Sequence, residues 1–212
     1  VNINTSTGSA LQIQKNVQAQ VYIYLEGINE LNSGWDAALQ KDNAAKLTID
    51  NSDNSSKNIG KLIATASSGA GIGGGQGGSG SDITISGGSV TATSSIGAGI
   101  GGGFENTGSN ITISGGSVTA TSTYGAGIGS GEDGGTSSNI TISGGSVNAT
   151  SYSGAGIGCP PHQNLNSTGN NPEVYLCTVS NPQKRKISID NVDWKTYNHV
   201  NGESVGDNLY AW

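Results

Sequence analysis

Aromatic side chains are scarce in this chain: one Phe, three Trp and seven Tyr among 212 residues, with no Met at all. A core built without rings has to be filled by aliphatic residues and by backbones packed close together. Positive charge is missing where most of the chain lies. No Lys or Arg occurs between Leu62 and Gln183, while Asp82, Glu105, Glu132, Asp133 and Glu173 fall inside that span, and the formal net charge is −6. Displacing counterions from nucleic acid needs a basic stripe, so this distribution argues against nucleic acid, and equally against an anionic membrane surface. The one basic run, Lys184-Arg185-Lys186, lies outside the span and reads as a solvated strand or turn face.

No apolar run approaches the roughly 18 residues of a membrane span, so membrane insertion is not expected. Cysteine is limited to Cys159 and Cys177. In a secreted protein they suit a disulfide; two unpaired thiols are the equal alternative, and the spacing does not choose. No leader precedes Val1, so the chain is read as a module separated from its targeting segment, one part of a larger multidomain surface protein.

What the chain has in abundance is glycine, 36 residues, arranged with a period. GAGIG begins at Gly69, Gly97, Gly125 and Gly154, and ITISGGSV begins at Ile83, Ile111 and Ile140. Both recur at 28, 28 or 29 residues, so a single copy is one turn of a repeat. The first copy, GAGIGGG, spells G-x-G-x-x-G. A dinucleotide-binding turn, however, needs a helix opening at the third Gly and an acidic residue about 20 residues later. No helical periodicity follows any copy, and the third Gly becomes Ser130 and Cys159 further along. The glycines therefore serve the repeat, and NAD is excluded.

Decayed copies appear upstream. Ser9-Ala10-Leu11 aligns with Ala37-Ala38-Leu39, and Leu39 aligns with Ile72 if Asn51 to Asn58 carries a five-residue insertion. Val21 to Leu25 and Leu47 to Asp50 stand where ITIS stands, and Lys61 to Ala66 stands where SVTATS stands. About six turns result.

Apolar residues alternate within each unit: Ala70 and Ile72, Ile83 and Ile85, Val90 and Ala92. Alternation of this kind marks strands with one buried face, and Gly87-Gly88 turns the chain between two of them. A single turn cannot cover its own apolar face, so turns must stack in parallel. The expected fold is all-β: a right-handed parallel β-helix over residues 1–171, with about 28 residues and three short strands per turn. Ile72, Ile100, Ile128 and Ile157 should form one inward column. Pro160-Pro161 ends the regular units. Residues 172–212, with EVYLCTV, KISID and NLYAW, are expected to form a C-terminal β cap or the start of an appended β region.

The chemistry-bearing residues lie at the corners and linkers. Gly77-Gly78-Ser79-Gly80-Ser81-Asp82 opens like a calcium-binding nonapeptide, but its large apolar position holds Thr84 and its acidic position becomes Asn110 and Asn139 in later turns. Asp82, Asn110 and Asn139 are instead expected to form an amide ladder along the axis. No motif requires a cofactor. Calcium is the one candidate ion, with Glu105, Glu132 and Asp133 in stacked linkers as hard oxygen donors.

Polysaccharide cleavage needs an acidic pair, or a carboxylate with a basic partner. Glu105 and Glu132, read as one turn apart, supply the acidic pair. The repeat holds no Lys, Arg or His for a lyase, since His162 and His199 lie beyond it. No nucleophile elbow with His and Asp partners appears. Aromatics give a different signal. Trp35, Ser68, Ile96, Tyr124 and Ser153 share one register, with Tyr152 one step away and Phe104 in the next linker. Exposed rings along one edge suit stacking on the apolar faces of sugars; shielding of the corners is the competing reading.

The unit GAGIGGG, linker, NITISGGSVTATS resembles the Gly-rich repeats of bacterial, mainly Gram-positive, cell-surface proteins described as carbohydrate-binding β-helix modules, one relative being of a polygalacturonate-binding type. The resemblance covers about residues 8 to 158. It implies an extracellular or cell-surface location and glycan adhesion, with calcium as a possible accessory, and carries no binding residue over. The combined expectation is non-catalytic binding of polysaccharide through Trp35, Phe104, Glu105, Tyr124, Glu132, Asp133 and Tyr152. A glycoside hydrolase or lyase on the same fold, and a rigid adhesin stalk, are the alternatives.

Overall fold

The computed structural model describes residues 1–51, 59–134, 137–159 and 174–176. Among them there is no helix. The chain climbs through short strands in a fixed cyclic order and builds three parallel sheets of six strands each. The first sheet stacks β1 (Asn2–Thr5), β4 (Ile28–Ser33), β7 (Lys61–Thr65), β10 (Ser89–Ser94), β13 (Ser117–Ser122) and β16 (Ser146–Ser151). The second stacks the two-residue strands β2 (Leu11–Gln12), β5 (Leu39–Gln40), β8 (Ile72–Gly73), β11 (Ile100–Gly101), β14 (Ile128–Gly129) and β17 (Ile157–Gly158). The third stacks β3 (Gln20–Leu25), β6 (Lys46–Asn51), β9 (Gly80–Ile85), β12 (Gly108–Ile113), β15 (Ser138–Ile142) and β18 (Val174–Leu176).

Three strands per turn, about 28 residues each, coil as a right-handed parallel β-helix. The handedness follows from the twist of L-peptide strands, which lets a strand, crossover, parallel strand path pack back only one way. The predicted strand registers hold. Leu11 pairs Leu39, Leu39 pairs Ile72, and Ile72, Ile100, Ile128 and Ile157 follow one another. Val21 pairs Leu47, which pairs Ile83, so the decayed turns and the insertion are placed as the spacing required.

These columns are the core. Leu39, Ile72, Ile100 and Ile128 are fully buried, as are Ile83, Ile85, Ile111 and Ile113. Each buried Ile is worth about 1.5–3 kcal/mol of transfer free energy, which lets aliphatic ladders replace the missing aromatics. Ala70, Ala98 and Ala126 are also fully buried but lie outside the apolar cluster, beneath the linker: Ala98 N donates to Gly102 O at 2.8 Å, closing the corner.

Glycine is demanded at two corners. Gly101, the second residue of β11, has φ +134, and a Cβ there would stand 2.0 Å from Gly129 O on the next rung. In the Gly87-Gly88 turn only Gly88 takes positive φ, at +79. The residue before it needs glycine for space on the later rungs, since a Cβ at Gly115 would stand 2.1 Å from Ser86 O and one at Gly144 1.9 Å from Ser114 O.

The strand β18, within the segment assigned to the cap, pairs in parallel with β15 and adds a sixth rung to the third sheet. Pro160, Pro161, His162, Cys177, the Lys184 to Lys186 run and His199 lie outside the described residues, as does the rest of the expected cap. Cys159 is a half-buried free thiol whose Sγ accepts a hydrogen bond from Ser137 N.

Candidate functional site: a lateral edge

Two columns of side chains meet where the first sheet turns into the second. The corner column is Trp35, Ser68, Ile96, Tyr124 and Ser153, held rung on rung by Ser68 N to Trp35 O at 3.1 Å, Ile96 N to Ser67 O at 2.8 Å and Tyr124 N to Ser95 O at 2.9 Å. The second column comes from the linkers after β8, β11 and β14. Each linker folds back through a tight turn, with Gly78 N donating to Gly75 O, Asn106 N to Gly103 O and Gly134 N to Gly131 O. This fold places Gln76, Phe104 and Glu132 in equivalent positions.

The linker of one rung is stitched to the corner of the rung before it. Phe104 N donates to Ser68 O at 3.1 Å and Glu132 N to Ile96 O at 2.9 Å. At the first such junction a side chain replaces the backbone, for Gln76 N donates to Asp36 Oδ1 at 2.8 Å. Trp35 Nε1 then donates to Gln76 Oε1 at 2.6 Å, which fixes the plane of the indole.

The edge therefore gathers all seven residues singled out from the sequence. Trp35 is 51% exposed, Tyr124 47% and Tyr152 89%, so these rings face water and do not plug the corner. Phe104, Ile96 and Glu132 are half-buried between them, while Glu105 and Asp133 are exposed. One equivalence differs from the expected one. Glu105 does not stack on Glu132; its counterpart is Asp133, both holding positive φ, 59° and 54°, with Gly77 at 68° below them. The linker turn needs a left-handed residue there, and Glu132 belongs to the Phe104 column. The contact between the two linkers is through backbone, Glu105 N to Glu132 O at 2.8 Å.

Burial first, and the Asp133 charge second, push the Glu132 carboxyl above its ordinary range. No group of three or more His, Cys, Asp or Glu that could hold a metal ion occurs among the described residues. Glu105, Glu132 and Asp133 thus stand near one another without forming a preassembled cage. Asp36 and Gln76 were not singled out from the sequence. Gln76 becomes visible once GAGIGGG is aligned through to the linker, where it occupies the place of Phe104 and Glu132.

A second exposed aromatic pair lies elsewhere. Tyr22 and Tyr24 on β3 stack with ring centroids 6.0 Å apart and planes 7° from parallel, on the outward face of the first rung.

The stacked rungs, the Ile columns and the stitched linkers define a parallel β-helix of the repeat class. The chain carries a β-helix repeat module: the family model described as a beta helix repeat matches residues 83–104, 111–132 and 140–159. Each match starts at the first Ile of ITIS, and the first two end at Phe104 and Glu132, on the linker column. No curated protein and no solved structure matches the chain.

Proposed function

We propose that this lateral edge binds an extended polysaccharide without cleaving it, as an adhesion or substrate-targeting surface of an extracellular protein. The observation that carries the reading is the exposed register of Trp35 and Tyr124 with Tyr152 beside it and Phe104 in the adjoining column. Trp35 and Tyr124 are three rungs apart, about 14 Å at the usual strand spacing, which suits several consecutive sugar rings. Burying ~100 Å² of ring is worth about 2.5 kcal/mol before ordering costs, so affinity would build from several weak contacts along the chain. The resemblance to carbohydrate-binding β-helix modules of Gram-positive surface proteins supports the same reading.

A hydrolytic role has one observation in its favour: burial and the Asp133 charge raise the pKa of the Glu132 carboxyl beside the Glu105 linker, the direction that suits a general acid. A glycan array run with and without chelator tests binding, and reducing-sugar release from the positive glycans tests cleavage. Binding without release supports the proposal. Release abolished in Glu132→Gln would replace it with hydrolysis, and no glycan hit at all would leave a rigid stalk.

A further inference from the structure

The linkers that line the aromatic edge also hold most of the charge of the upper rungs. Between Leu62 and Cys159 the chain has four carboxylates, Asp82, Glu105, Glu132 and Asp133, and no Lys or Arg. Asp82 belongs to the third sheet, where it accepts from Asn110. The other three stand in the linkers after β11 and β14. Glu105 and Asp133 take equivalent left-handed positions on successive rungs, and Glu132 lies in the Phe104 column. Glu105 and Asp133 are exposed and Glu132 is half-buried.

None of these three carboxylates has a hydrogen-bond or ion-pair partner among the described residues. The described lysines, Lys15, Lys41, Lys46 and Lys61, all belong to the lower three rungs, and Lys41 is buried with its Nζ on Asn43 O. Asp36, at the Trp35 end of the edge, is different: its Oδ1 is taken up by Ala37 N at 3.1 Å and Gln76 N at 2.8 Å. The upper part of the edge, around Phe104 and Tyr124, is therefore negative with nothing to compensate it. Glu132 already feels this field, since the Asp133 charge adds to burial in raising its pKa.

A glycan laid along the rings has to pass these linkers, because Glu132 N is bonded to Ile96 O in the corner column itself. Ring stacking engages the apolar face of a sugar, which neutral and acidic sugars share, so the rings alone would accept both. Charges beside the rings discriminate. Like charges brought together cost affinity, opposite charges gain it, and salt screens both effects. A polyuronate or a sulfated glycan brings an anion with each repeat and meets no cation here. A neutral chain avoids that cost, and protonated amines would be drawn both to the carboxylates and to the ring faces. We propose that Glu105, Glu132 and Asp133 set the charge specificity of the edge and restrict it to polysaccharides without acidic sugars. This rests on the polysaccharide reading and names the class of glycan within it.

The test presents the full chain with neutral, amine-bearing, uronate and sulfated glycans on one array, at low and at high salt. Wild type is expected to bind neutral or amine-bearing glycans and to bind the acidic ones about tenfold more weakly or worse at low salt, with the gap narrowing at high salt. A triple variant, Glu105→Asn, Glu132→Gln and Asp133→Asn, should close most of that gap at low salt; Asn suits the left-handed positions, and circular dichroism checks the fold. A second triple variant, Glu26→Gln, Glu30→Gln and Asp50→Asn, removes the same formal charge on the lower rungs and should keep the gap, which separates the local field from net charge. Acidic glycans bound by wild type as tightly as neutral ones overturn the proposal and leave the polysaccharide reading standing. So does uronate binding that appears with calcium and vanishes with chelator, or a gap that survives in the edge variant. No glycan bound by wild type or edge variant would remove the polysaccharide reading itself, and the charge specificity with it.

Discussion

Asn110 Nδ2 donates to Asp82 Oδ1 at 3.2 Å across 28 residues of chain, and Asn139 Nδ2 donates to Asn110 Oδ1 at 2.9 Å. The three residues hold positive φ of 55°, 52° and 55°. Ser81 and Ile83 pair with Ser109 and Ile111, while the residue between drops out of the pairing. Asp and Asn tolerate this left-handed geometry better than other side chains, so one residue type serves both the kink and the ladder.

Asn110→Ala should therefore lose more than its hydrogen bonds. The left-handed penalty of about 1–2 kcal/mol adds to exposed bonds worth about 0.5 kcal/mol each. Asn110→Gly escapes the first part and should cost less than Asn110→Ala. Urea unfolding of the two variants separates these contributions; equal costs would mean that the φ angle carries no strain.

Gly101→Ala tests the closeness of the rungs. With φ +134 and a Cβ position 2.0 Å from Gly129 O, the methyl cannot be accommodated without parting β11 from β14. Destabilisation above about 4 kcal/mol is expected, enough to prevent recovery of folded protein. Gly77→Asn is the control. Its φ is +68, nothing lies near its Cβ position, and Glu105 and Asp133 already occupy equivalent places. Its melting temperature should stay within a few degrees of wild type.

Ile100 sits mid-column between Ile72 and Ile128, all three fully buried. Ile100→Ala should cost about 3–4 kcal/mol and Ile100→Val about 1 kcal/mol, since two-residue strands on either side have little room to collapse into the cavity. Chemical denaturation of both variants checks the pair, and a small cost for Ile100→Ala would show that the column does not set stability.

The periodicity made the fold legible because stacking turns every residue into a copy of the one 28 positions earlier. Core Ile, corner Gly and the Asn ladder are all equivalence statements, readable from spacing alone. The site was less legible, because its contacts cross between columns of different parts of the unit. The Trp35 to Gln76 hydrogen bond spans 41 residues and corresponds to no multiple of the repeat. Glu105 and Glu132 were paired as chemically alike, whereas the backbone conformation pairs Glu105 with Asp133.

Lys41 is a further departure from the repeat, occupying the corner position of Gly74 on the next rung. It is fully buried, its Nζ donating to Asn43 O at 2.6 Å. Burial lowers its ammonium pKa, against the opposing pulls of the Asp82 and Asp42 charges. A lysine held below its ordinary value loses its proton first in the folded state. Below that folded value it is charged both folded and unfolded, and the full cost of burying charge is present. As pH rises through the folded value toward the ordinary one, that cost is relieved and stability is gained. Lys41→Met should be neutral or more stable by about 1 kcal/mol at pH 7, and its advantage should shrink as pH approaches 10. Denaturation midpoints of both proteins at the two pH values decide it; an advantage that grows with pH would contradict the sign.

The polysaccharide reading has a length dependence built into its geometry. Trp35 and Tyr124 stand about 14 Å apart along the axis, so a disaccharide can stack on one ring while a hexasaccharide reaches both. For a long oligosaccharide, Trp35→Ala and Tyr124→Ala should each weaken binding about tenfold, roughly 1.4 kcal/mol, and the double variant should approach the affinity of a disaccharide. Gln76→Ala leaves the indole in place but releases Nε1 from its acceptor, so its loss should be smaller and appear as a greater entropic cost in calorimetry. Titration of oligosaccharides of increasing length measures all four variants on one scale. If affinity is independent of length, the rings do not act as a track and the edge is not the binding surface.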